Sequence, residues 1–213
     1  MALYLTENAT GTNDRATVEA VVERLSPTAQ EAGGCLLDVQ VSVDLGRIFF
    51  VAEDVDPSRL EAGIADLGVE RTTPALVRLV GATVEAVRAR AGGPASYLVE
   101  WDFPTGLDMD TYLARKKEKA PLYAKVPEVA FLRTYVREDM GKCLCLYDAP
   151  DDEAVIRARQ AVSSPSTACT ASPARAIRRH RGSGHDRRAG VRGRRAAGRG
   201  HRRVLLGARQ GGR

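Results

Sequence analysis

Aromatic residues are scarce in this chain. Phe, Trp and Tyr together make up 5% of 213 residues, against 44% hydrophobic residues overall. A core can form, but it must be mostly aliphatic. Histidine is scarcer still: His180, His185 and His201 are the only three, all in the C-terminal quarter. Four cysteines are too few for a disulfide scaffold, so a reducing, cytoplasmic setting is expected. No apolar run approaches the roughly 18 residues of a membrane-spanning helix. The opening MALYLTENATG has no basic n-region and no long apolar stretch, which predicts no secretory signal. Phosphate-cradling glycine loops after a strand, a G-x-S-x-G nucleophile elbow and an H-E-x-x-H helix are all missing.

What is present divides sharply in two. Residues 163–213 contain 14 Arg, no Lys and one acid, Asp186, for a net charge of +13. Residues 1–162 hold the remaining 18 basic and 26 acidic residues, for a net charge of −8. The overall charge of +5 therefore describes neither part. The C-terminal segment has no aromatic residue, and its apolar residues are mostly Ala. It cannot bury enough area to offset its ordering entropy and reads as disordered.

Residues 1–162 carry one pattern twice. ALYLTE (2–7) matches ASYLVE (95–100) at an offset of 93 residues. LLDVQVSVDLGRIFFVAEDVDPSRLEA (36–62) matches FLRTYVREDMGKCLCLYDAPDDEAVIR (131–157) at an offset of 95. In copy one, residues 2–7 read as a strand and 14–32 as a helix, with Val18, Val21, Val22 and Leu25 on one face. Strands at 35–43 and 47–53 flank a hairpin turn at Asp44-Leu45-Gly46, with Gly46 expected at positive φ. Asp56 or Ser58 caps a second helix reaching about residue 67, and a strand follows at 75–81. Copy two repeats this with strands at 95–101, 129–137 and 142–148 and helices near 108–124 and 151–162. The order βαββαβ is α+β and ferredoxin-like. The predicted organisation is repeat one (1–82), a helical linker (83–94), an incomplete repeat two (95–162) and a basic tail (163–213).

Copy two stops before its fourth strand. At that place stands SSPSTACTASPARAIRRHRG, an Arg-only segment of the kind GC-rich DNA yields in the wrong frame. Reading Ser164–Ser172 one base back permits P-V-D-R-V-H-R-V, which has the form of the missing turn and strand. The tail is thus read as a frameshift product. Were it genuine, its arginines would give non-specific, salt-dependent nucleic-acid binding.

YLVEWDFP (97–104) and AFLRTYVREDMGKCLCLYDAPDDEAV (130–155) resemble a bacterial nickel-binding-protein-like family, domain of unknown function 4242. The resemblance is best over 95–162 and reaches 2–82 only through the repeat. It implies a ferredoxin-like α+β fold, association through sheets and, in some members, nickel as a bound ion. Tandem copies suggest a pseudo-dimer of the dimeric α+β barrel type, enclosing an inter-sheet cavity. The leading functional expectation is a cytoplasmic protein that binds a small molecule or metal ion. One rival is a cofactor-free isomerase or oxygenase that uses the cavity. The other is nucleic-acid binding through the tail.

Candidate site residues follow from the repeat. Glu7 and Glu100 sit at equivalent strand ends, three residues after Tyr4 and Tyr97. Facing a shared cavity, a partly buried carboxylate would have a raised pKa and suit proton transfer; otherwise each is a solvated strand-end Glu. Arg133 and Tyr135 share a strand face and would suit an anion, although an outward, solvated face is the plainer reading. Cys143 and Cys145 lie two apart on a strand and so on one face, where thiolates would suit zinc or copper. Copy one places Ile48 and Phe50 there, which favours core packing. Cys35 and Cys169 show no partner in the sequence. The run Arg115-Lys116-Lys117-Glu118-Lys119 reads as a solvated helix face.

Overall fold

A computed structural model describes residues 1–70, 72–89 and 95–164. The basic tail beyond residue 164, with the three histidines, Cys169 and the frameshift segment, lies outside these residues. The first half runs β1 (Leu3–Ala9), α1 (Arg15–Glu31), β2 (Cys35–Val41), β3 (Arg47–Glu53), α2 (Pro57–Ala65) and β4 (Ala75–Val80). A short helix, α3 (Val84–Ala89), follows. The second half runs β5 (Tyr97–Asp102), α4 (Met109–Lys119), a 3-10 turn (Ala120–Lys125), β6 (Ala130–Arg137), β7 (Lys142–Asp148) and α5 (Asp152–Ala161). The order strand, helix, hairpin, helix thus occurs twice.

Local chemistry sets these boundaries. Asp14, Asp56, Asp108 and Asp151 each cap a helix, accepting hydrogen bonds from backbone N–H groups of the first turn. The two hairpins turn alike. Asp44 accepts from the Gly46 N–H at 3.0 Å, and Asp139 from the Gly141 N–H at 2.9 Å. Positive φ falls on Leu45 (64°) and Met140 (55°), not on Gly46 as expected. A Cβ at position 141 would lie 3.2 Å from the Asp139 carboxylate, a tight contact.

All seven strands form one antiparallel sheet in the order β2-β3-β1-β4-β6-β7-β5. The first half supplies β2-β3-β1-β4 and the second β6-β7-β5, joined where β4 pairs with β6. The sheet is curled. Strands β2 and β6 are four positions apart, roughly 19 Å in a flat sheet. Yet Asp38 of β2 hydrogen-bonds Arg133 and Tyr135 of β6 at 2.8 Å each.

Curling creates three apolar layers. The concave face holds Leu3, Leu5, Phe49, Val51, Leu98 and Leu144 from both halves. Val84 and Val87 of α3 join this layer, so α3 is part of the core. On the convex face, α1 and α2 cover Ile48, Phe50 and Ala52. There, α4 and α5 cover Val99, Val136, Cys143, Cys145 and Tyr147. With both faces covered, β3 and β7 are buried almost throughout. Among the described residues no helix is long and apolar enough to cross a membrane.

Candidate functional site

The concave face was the expected ligand cavity, but it is filled. Beside Leu5, Gln40, Phe49, Leu98, Tyr135 and Leu144 there is about 10 Å³ of free space, room for the centre of a single water. Arg133 and Tyr135 point into this interior, 3% and 2% exposed, rather than outward to solvent. Nor do they present themselves to an anion, because Asp38 already holds them. The Arg133 guanidinium is paired with the Asp38 carboxylate at 2.6 Å, and the Tyr135 hydroxyl and Gln40 amide also donate to it. Burial raises the Tyr135 hydroxyl far above its ordinary pKa, which keeps it a neutral donor. Asp38 and Arg133 occupy equivalent positions in the two halves, 95 residues apart. The same holds for Gln40 and Tyr135.

Glu7 and Glu100 do come together at one end of the curled sheet, between two cations. Lys142 donates to Glu7 at 3.0 Å and to Glu100 at 2.9 Å. Arg47 donates to Glu7 at 3.2 Å and is paired with Glu100. Burial alone would raise the Glu100 carboxyl, as expected of a cavity base. Hydrogen bonds from Arg47 and Lys142 outweigh burial and hold it below its ordinary value. Such a carboxylate is stabilised as an anion and is a poor proton acceptor. Tyr4 and Tyr97 do not share this end. A spacing of three on a strand puts them on the opposite face, packed against the convex apolar layers.

Cys143 and Cys145 are where the two halves differ most. Both face the convex layer beneath α4 and α5, 0% and 5% exposed, with sulfurs 3.8 Å apart. The Tyr112 hydroxyl of α4 lies 3.9 Å from the Cys143 sulfur. The Thr134 hydroxyl of β6 donates to the Cys145 sulfur at 3.3 Å. Lys116 of α4 donates in turn to Thr134 at 2.8 Å, its ammonium over the Phe131 ring at 4.2 Å. Lys116 is therefore not simply part of a solvated face; its ammonium reaches inward to Thr134 and over the Tyr112 and Phe131 rings. Tyr147 follows on β7, within 3.1 Å of the Tyr123 hydroxyl and accepting from Arg159 of α5 at 3.3 Å. Arg159 is 2% exposed.

The equivalent positions of the first half are apolar. At an offset of 95 residues, Cys143, Cys145, Thr134, Tyr147 and Arg159 replace Ile48, Phe50, Val39, Ala52 and Ile64. At these positions the helix-covered layer of the first half carries no polar group, although Thr6 and Asn8 are buried elsewhere on the same face. The offset-95 comparison already contains this substitution pattern, although strand periodicity alone does not show it.

Electrostatically the thiols are unequal. The hydrogen shared between the sulfurs holds Cys143 protonated and draws Cys145 down. Burial opposes ionisation of Cys145, while the charges of Lys116 and Arg159 favour it. Among the described residues no three His, Cys, Asp or Glu side chains converge on a metal position. Cys35 is exposed at the far end of β2, donating to Glu53 at 3.0 Å.

Comparison with known proteins gives a family match that falls on the second half. No curated protein matches the chain. One solved structure, a candidate chlorite dismutase (TA0507), has 13% identity and a TM-score of 0.44 over 76% of this chain and 86% of its own. Residues 97–171 match the family model described as "Nickel responsive protein SCO4226-like", so the chain is similar over that range, both convex-face thiols included, to a nickel-responsive protein family.

Proposed function

We propose that this chain is a transition-metal-binding protein, built from two ferredoxin-like halves paired within one polypeptide as in a dimeric α+β barrel. Its metal donors are the thiols of Cys143 and Cys145. The observation that carries this reading is the pair of buried thiols with Thr134 and Arg159 beside them, at positions that carry Ile48, Phe50, Val39 and Ile64 in the first half. The family match over residues 97–171 supports a metal as the ligand. The filled concave face and the cation-bound Glu7 and Glu100 give less support to a small-molecule or acid–base site there. Nickel itself does not fit the described residues. It favours four donors in a tetragonal arrangement, and here two thiols converge with no third ligand.

Equilibrium dialysis of the full chain against nickel, zinc and copper, read by elemental analysis, tests the proposal. One ion per chain should be retained, and lost when Cys143 and Cys145 are both replaced by Val. Retention of no ion, or undiminished retention in that variant, would overturn it.

A further inference from the structure

The two thiols stand 3.8 Å apart, and among the described residues no third His, Cys, Asp or Glu side chain joins them. Two metal–sulfur bonds of about 2.3 Å reach at most about 4.6 Å between sulfurs. The pair must therefore open by less than about 1 Å to hold an ion in line between them. Divalent zinc and nickel need further ligands, and the layer offers only hydroxyls, an ammonium and a guanidinium. A monovalent soft ion satisfied by two thiolates needs none.

We infer that Cys143 and Cys145 form a two-coordinate site for copper(I), with Lys116 as its counter-charge. This rests on the metal-binding reading above and names the ion. On binding, two S–H bonds break, two Cu–S bonds form, and two protons leave to solvent. Copper stays in the +1 state throughout. The product carries one net negative charge, and placing that charge in an apolar layer requires a partner. Lys116 supplies it through Thr134, whose hydroxyl bridges the ammonium to the Cys145 sulfur. Arg159 adds a second positive charge from α5.

The thiols are buried, and the lysine is half-buried on α4.

The test is an anaerobic titration of the full chain carrying Cys35→Ser, with copper(I) supplied against the chromophoric chelator bathocuproine disulfonate. The chain should take one copper(I) from the chelator, and X-ray absorption should report two sulfur neighbours. Cys143→Val with Cys145→Val should remove this binding and keep the wild-type melting profile. Lys116→Met should weaken binding about tenfold, with Lys116→Arg close to wild type. A spectrum with three or four neighbours, or stoichiometric nickel held by these cysteines in place of copper(I), would overturn the copper(I) assignment but leave the metal-binding reading standing. Binding of neither ion would overturn both.

Discussion

The two halves of this chain use one scaffold to make two different interiors. Beneath α1 and α2, the layer is Ile48, Phe50, Ala52, Leu60 and Ile64. Beneath α4 and α5, the same strand positions carry two thiols, and a threonine, tyrosines, a lysine and an arginine gather round them. The second half also gathers ring-on-ring contacts among Trp101, Phe103, Tyr112, Tyr123, Phe131 and Tyr147. A buried polar group costs stability unless it is satisfied. At these positions the first half does without such groups, so the scaffold does not require them there.

The concave face teaches the reverse lesson, because there the halves complement each other. Arg133 meets Asp38, its own counterpart, and the pair is buried on both sides. Removing one partner of such a pair leaves an uncompensated charge, at a cost of about 3–5 kcal/mol. Arg133→Met should lower the unfolding free energy in urea by that amount, and adding Asp38→Leu should recover most of it. A loss under about 1 kcal/mol for the single variant would show that the halves do not depend on this contact.

Exchanging the convex layers gives a somewhat smaller effect. Phe50→Cys empties space in a close-packed aliphatic layer and should cost about 3 kcal/mol. Cys145→Val, the opposite replacement in the second half, should stay within about 1.5 kcal/mol of wild type. Equal costs in thermal denaturation would mean that the two layers are packed for the same purpose.

The smallest expected effect concerns Glu100. Its pKa is depressed in the folded chain by Arg47 and Lys142. The resulting stabilisation is present above the ordinary glutamate value of 4.5 and is lost as pH falls through the folded value. Glu100→Gln should therefore flatten the acid side of the stability profile below that pH and leave its shape near neutrality unchanged. An acid limb as steep as wild type would remove Glu100 from the groups that hold this end of the sheet.

Much of the architecture was readable in the residues because the pattern occurs twice. The strands at 47–53 and 142–148 match their expected bounds, and the helices differ by a few residues at their ends. These elements are set by local chemistry: aspartate caps, hairpin aspartates and apolar spacing. The site was less legible. Glu7 and Tyr4 seemed a pair because both recur, but strand geometry separates residues three apart. Arg133 and Tyr135 read as solvated because polar residues usually mark an outer face. Here the curled sheet has no solvated face at that point, and the partner that satisfies them lies 95 residues away. No window of local periodicity can report such a contact. The thiol pair was visible as a shared face, whereas Lys116 read as an ordinary surface cation because helical spacing does not show how deep a long side chain reaches.

The Asp38–Arg133 contact has a consequence for the gene as well as for the fold. If the halves were made as separate polypeptides, each could meet a copy of itself or a copy of the other. Self-pairing would set aspartate against aspartate or arginine against arginine at the centre of the concave face. Only the mixed pair brings opposite charges together there. A cut between α3 and β5 should therefore yield two fragments that select each other and reject themselves, a two-part reporter whose specificity resides in a single buried contact.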